Sequence, residues 1–138
     1  MPKIMFVCHG NICRSPMAEF IFKDLVKKAG LEDKFSVSSS AVSYEEIGNP
    51  VYPPARARLL RVGISCEGKT ARHFEKSDYY DNDYICVMDS SNMRNILRIT
   101  DGENDGRIKL LLEYAGEKAS VSDPWYSGDF DTAYEDIL

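Results

Sequence analysis

Cys8 and Arg14 stand with five residues between them in the stretch Cys8-His9-Gly10-Asn11-Ile12-Cys13-Arg14-Ser15. A thiolate is a strong nucleophile. A guanidinium grips two oxygens of a phosphate-like anion with a planar fork that Lys cannot offer. Between them, Gly10 and Asn11 tolerate the backbone angles of a tight bend. Successive amides of such a bend can turn inward as an anion nest. His9, Gly10, Asn11, Ile12, Cys13, Arg14 and Ser15 are therefore the expected phosphate-binding residues. The positive field of this loop favours a thiolate at Cys8, and the Ser15 hydroxyl can donate a hydrogen bond to it. Cys8 is the expected nucleophile and Arg14 the expected clamp. A Cys that merely packs at a strand end is the competing assignment. It leaves the Gly-Asn bend and Arg14 unexplained.

Such a loop needs rigid elements on both sides. Residues 3–7 have the short, fully apolar character of a buried parallel strand. Ser15 suits a helix N-cap and Pro16 the first helical position. Ala18, Ile21, Phe22, Leu25, Val26 and Ala29 then recur at helical spacing until Gly30. Residues 35–39 read as a second strand, with the serine run 38–40 marking its end or a loop. Pro54 opens a helix over 55–62, whose Arg56, Arg58 and Arg61 face solvent. Residues 64–76 read as loop and a short turn, and 77–83 as a helix end or loop. Residues 84–88 read as a buried strand. A helix capped by Asp89 or Ser90 follows through Ile99. After a polar turn, 108–112 form the last strand. A long loop over 116–128 and a helix starting at 132 complete the chain. Strands and helices alternate, which predicts a parallel sheet with helices on both faces. Ligands of such sheets bind beyond the carboxyl ends of the strands, where the Cys8 loop lies.

The 138 residues suit a single domain spanning 1–138. At 43% hydrophobic, the chain can bury a core. A net charge of −5 without a Lys/Arg block offers no footprint for nucleic acid. No apolar run reaches membrane-spanning length, and no signal-peptide core follows Met1. Four Cys in such a chain read as thiols of a reducing cytoplasm. No His/Cys/carboxylate spacing suggests a metal, and no cofactor is expected. Cys66 and Cys86 read as structural.

The loop and the segments after it resemble the low-molecular-weight protein tyrosine phosphatases over nearly the whole chain. Ser15-Pro16-Met17-Ala18-Glu19 matches the opening. Residues 38–43, Gly63-Ile64, Ala71-Arg72, residues 84–92 and Asp123-Pro124-Trp125-Tyr126 match later segments in order. The resemblance implies an α/β fold, doubly wound around a four-stranded parallel sheet with its phosphate-binding loop after the first strand. It implies a phosphotyrosine phosphatase in which Cys8 attacks, Arg14 clamps, Ser15 donates to the thiolate and Asn11 holds the loop in shape. Asp123 would be the general acid. Attack on a phosphate ester expels an alkoxide or phenoxide, and protonating it is worth about 100- to 10,000-fold. The plain alternative for Asp123-Pro124 is a turn.

Trp125 and Tyr126 are expected to wall a slot for a phenyl ring, opposite His9 and Tyr44 or Glu45. Related phosphatases acting on phosphoarginine carry Thr at the position of Ile12, so an apolar Ile12 favours phosphotyrosine. The resemblance also implies a reversible Cys8–Cys13 disulfide under peroxide. Two departures stand out. Lys69 occupies the place of a loop-supporting His, with His73 displaced and Ser39 a substitute support. The closing helix reads as incomplete at Leu138. Expected partners are a phosphotyrosine protein or peptide, or a small aryl phosphate, with inorganic phosphate released. The expected state is a monomer or weak homodimer. The rivals are a phosphoarginine phosphatase, a thiol-linked arsenate reductase, and a cysteine phosphocarrier or phosphoprotein-binding domain. The reductase would need closely spaced downstream cysteines, which Cys66 and Cys86 do not provide.

Overall fold

Strand β1 (Lys3–Cys8) is the centre of the architecture in the computed structural model, which describes residues 3–111. Its side chains alternate between two cores, as a period of two requires. Ile4, Phe6 and Cys8 pack with Ala18 on one face, and Met5 and Val7 with Phe74, Tyr79 and Ile96 on the other. Burial on both faces explains why the strand is apolar from Ile4 to Cys8.

Parallel partners flank β1 on each side. β2 (Ser36–Ala41) pairs in register from Lys3↔Ser36 to Cys8↔Ala41. β3 (Tyr84–Val87) pairs on the other side, and β4 (Ile108–Leu110) lies beyond it, giving the order β2-β1-β3-β4. α1 (Arg14–Lys28) covers one face and packs against α2 (Pro53–Leu60) through Met17, Ile21, Ala55 and Leu59. α3 (Lys76–Asp81) and α4 (Ser90–Ile99) place Tyr79 and Ile96 in the core of the other face. The sheet is therefore the expected one: four parallel strands with helices on both sides.

Several boundaries depart from expectation: α2 starts at Pro53 and ends at Leu60, β4 ends at Leu110, and three further differences bear on how the loop is held. β2 runs through the serines to Ala41 instead of ending there. Ser39 and Ser40 are fully buried, yet satisfied: Ser39 Oγ donates to Glu19 Oε1, and Ser40 Oγ donates to Met5 Sδ at 3.2 Å. Buried hydroxyls are tolerated in a strand when each finds a partner. The first helix begins at Arg14, with Cys13 at its N-cap and no side-chain cap, so Ser15 and Pro16 are already inside its first turn. Finally, residues 76–81 are a helix whose Glu75 and Asp78 form a capping box, so the acidic residues there are its N-terminal signal. The expected loop over 116–128 and helix from 132 lie outside the described residues.

Candidate active site

The sheet order reverses between β1 and β3, opening a crevice at their carboxyl ends. A cavity of about 450 Å³ occupies it. Cys8 ends β1 and stands at its floor, 3% exposed. Two groups point at the sulfur. The Asn11 amide donates to Sγ at 3.2 Å, and Ser15 Oγ lies 3.0 Å from it. The Ser15 oxygen also accepts from Asn11 Nδ2 at 2.7 Å. With that lone pair occupied, the hydroxyl proton is left for Cys8 or for the Ser40 carbonyl, the latter at 3.5 Å. The nearer partner is the sulfur, and a thiolate is the stronger acceptor. Ser15, expected both as a cap and as a partner of the thiolate, lies against the sulfur and does not cap α1.

Asn11 carries the bend. Its φ of 57° is left-handed, a region Asn reaches more readily than most residues. Its side chain is buried and doubly held: Nδ2 donates to Ser15, and Oδ1 accepts from the Arg72 amide at 3.2 Å. The loop is therefore tied to the segment before α3 by a backbone group. Lys69 and His73 do other things. Lys69 Nζ donates to the Ser39 carbonyl at 3.1 Å and lies 3.7 Å from Glu19. Burial pushes its pKa below the usual ammonium value, with Glu19 opposing that fall. His73 Nδ1 lies 3.3 Å from Glu75. Ser39 reaches Glu19, not the loop.

Arg14 is 3% exposed at the start of α1 and lines the cavity. Its Nη1 donates to Asp89 Oδ2 at 2.8 Å. Asp89 Oδ1 accepts the Asn92 amide at 2.8 Å as the N-cap of α4. One carboxylate thus fixes the guanidinium to the far side of the crevice. Sequence reasoning gave Asp89 only its capping role; the strand-end position after β3 was the available signal for more.

The family model for low molecular weight phosphotyrosine protein phosphatase matches residues 3–138. The chain belongs to that family. The low molecular weight protein-tyrosine-phosphatase YfkJ of Bacillus subtilis is 43% identical over 133 residues, covering 95% of this chain and 85% of that protein. The crystal structure of YfkJ superposes with a TM-score of 0.95 at 42% identity, covering 99% of this chain and 87% of that one. The structure of a Drosophila arginine phosphatase is also similar, with a TM-score of 0.87 at 34% identity, covering 99% and 90% of the two chains.

The walls of this family member's cavity differ in part from expectation. His9, Gly10, Ile12 and Cys13 line it with Cys8 and Arg14, as do Glu45 and, unforeseen, Glu46. His9 Nε2 lies 3.1 Å from Glu45 Oε2. Tyr44 does not line the cavity: its ring lies flat on His73, 3.7 Å between centroids with planes 5° apart. A residue one position along in the loop takes its place, because Tyr44 has a stacking partner on the outside. Ile12 is 7% exposed and clusters with Cys13 and Ala71, with Tyr52 packed against them. Asp123, Trp125 and Tyr126 lie outside the described residues.

Cys66 and Cys86 do not line the cavity. Burial raises the Cys66 thiol above its usual value, with Arg56 opposing, and pushes Cys86 up to about 12. Both stay protonated at neutral pH and act as packing groups. Among the described residues no group of three or more His, Cys, Asp or Glu side chains is placed to hold a metal, and no helix is long and apolar enough to cross a membrane.

Proposed function

We propose that this chain hydrolyses aryl phosphate monoesters, phosphotyrosine in particular, through a phosphocysteine intermediate. The observation that carries the reading is the sulfur of Cys8 on the floor of the crevice, with the Ser15 hydroxyl at 3.0 Å, the Asn11 amide at 3.2 Å and the Arg14 guanidinium lining the same cavity. The Cys8 thiolate attacks phosphorus, a P–S bond forms and the bond to the phenolic oxygen breaks. The phenoxide takes a proton from Asp123, the assigned general acid. That carboxylate then removes a proton from water, which attacks the phosphocysteine. The P–S bond breaks, releasing inorganic phosphate and restoring the thiolate. Arg14 and the loop amides hold the equatorial oxygens throughout.

Phosphotyrosine is favoured over phosphoserine because Cys8 lines the cavity at only 3% exposure, which a long aryl ester reaches more readily than a short alkyl one. It is favoured over phosphoarginine because Ile12 brings no side-chain hydroxyl to the cavity. Rates on phosphotyrosine, phosphoarginine and phosphoserine peptides, with Cys8→Ser as blank, test the assignment. The expected order puts phosphotyrosine first and leaves Cys8→Ser inactive on p-nitrophenyl phosphate. Turnover by Cys8→Ser would end the mechanism, and a preference for phosphoarginine would transfer the assignment to that substrate.

A reducing compartment preserves a thiolate nucleophile, which supports a cytoplasmic location; a monomer or weak homodimer is the proposed state. Cys13 shares the loop, and both cysteines are buried. Peroxide would convert the pair to a disulfide, two thiols being oxidised as the peroxide is reduced to two waters, and thiols would reverse it. Mass spectrometry after mild peroxide should show a linked Cys8–Cys13 peptide; sulfinic Cys8 alone would exclude the switch.

A further inference from the structure

The mouth of the cavity is acidic where an aryl-binding slot has no need of charge. Among the described residues lining it, the carboxylates of Glu45, Glu46 and Asp89 face a single guanidinium, that of Arg14. Asp89 is committed to Arg14 at 2.8 Å and to the cap of α4, so these two charges offset one another inside the site. Glu45 and Glu46 belong to the following loop, at the outer rim. Glu45 is held there by His9, 3.1 Å away, with its side chain 70% exposed. Glu46 lies against the phosphate loop itself. A Cβ built on Gly10 would sit 3.3 Å from Glu46 Cγ, and its carboxylate accepts from Asn49 Nδ2 at 2.5 Å. Both acids are thus fixed in place beside the entrance.

We infer that Glu45 and Glu46 select among phosphotyrosine sequences, favouring peptides with Lys or Arg next to the phosphotyrosine over peptides with Asp or Glu there. The inference rests on the phosphotyrosine phosphatase reading above and specifies its substrate class. The physical ground is simple. Once the phosphate is bound, Arg14 serves the phosphate, and the rim presents its carboxylates to whatever flanks the tyrosine. A basic flank is attracted and an acidic flank is repelled. Charges at an open rim act through water and are screened by salt, so the effect is modest and falls chiefly on capture of the substrate.

Two phosphotyrosine peptides of equal length test this, one with Arg and one with Glu on both sides of the phosphotyrosine. With the full chain at low salt, kcat/KM should favour the Arg peptide by roughly fivefold to tenfold, carried mainly by KM. High salt should compress the ratio toward one. The double variant Glu45→Gln, Glu46→Gln should compress it at low salt, and the double variant Glu45→Lys, Glu46→Lys should reverse it. A wild-type ratio near one, or a ratio untouched by the Gln variant, overturns the inference while leaving the phosphatase reading intact. Failure of both peptides to turn over above the Cys8→Ser blank overturns the phosphatase reading, and this inference with it.

Discussion

Ser15 is the residue whose surroundings bear most directly on the proposed nucleophile, Cys8. Its oxygen already accepts from Asn11, so its proton has a directed outlet toward Cys8. A hydrogen bond to a charged group is worth about 1.5–3 kcal/mol, which converts to roughly ten- to a hundredfold in rate. Ser15→Ala should therefore lower kcat for p-nitrophenyl phosphate by that range and slow alkylation of Cys8 by iodoacetate, with the fold retained. Arg14 gives a second residue-scale expectation. Lys in its place keeps the charge but loses the fork that reaches Asp89 and the phosphate together. Arg14→Lys should cost about a hundredfold or more in kcat/KM, checked against both phosphotyrosine and phosphate inhibition.

At the scale of elements, the loop is held by what packs behind it. Asn11 connects α1 and the segment leading to α3 through two hydrogen bonds, in a left-handed conformation. Asn11→Ala removes both bonds and leaves the backbone cost, so both Tm and activity should fall. Asn11→Gly relieves the backbone cost alone; it should recover part of the Tm and little of the activity. Between α1 and β2, Glu19 is 5% exposed and takes Ser39 Oγ, Lys23 Nζ at 2.5 Å and Lys69 Nζ at 3.7 Å. Glu19→Ala leaves two ammonium groups facing each other in a half-buried site. That should cost about 3 kcal/mol in urea unfolding, and pairing it with Lys69→Met should recover a good part of the loss.

The whole molecule shows its pH dependence far from the site. Asp105 is held down to about pKa 2, first by the hydrogen bond from the Arg107 side chain. The Arg107 Nη1 also donates to the Tyr79 carbonyl at 2.8 Å, with its guanidinium over the Tyr79 ring, so the turn before β4 is fastened to α3. The folded pKa lies below the unfolded value of about 3.9. The stabilisation is therefore complete above about pH 4 and is lost as pH falls through about 2. Asp105→Asn should lower stability near neutral pH and flatten its decline between about pH 4 and 2, as read from denaturant midpoints along a pH series.

Period, composition and residue spacing by themselves indicated an apolar β1, a helical α1, the alternation of strands with helices and a loop suited to phosphate between Cys8 and Arg14. These are local properties, set by side-chain type and spacing. The serine-rich end of β2 was not legible, because its hydroxyls are satisfied by Glu19 and Met5, distant in sequence. The same holds for the pairing of Asp89 with Arg14 across 75 positions, and for the hold of the Arg72 amide on Asn11 across 61. Loop support passed to a backbone amide, which no residue-type signal can announce. Tyr44 and Glu45 differ by one position in sequence, yet one stacks outward on His73 and the other meets His9 at the mouth. The sequence thus pointed to the groups proposed to react. Only the tertiary structure decided what holds the reacting groups and what charge surrounds them, because those contacts join elements that the chain order keeps apart.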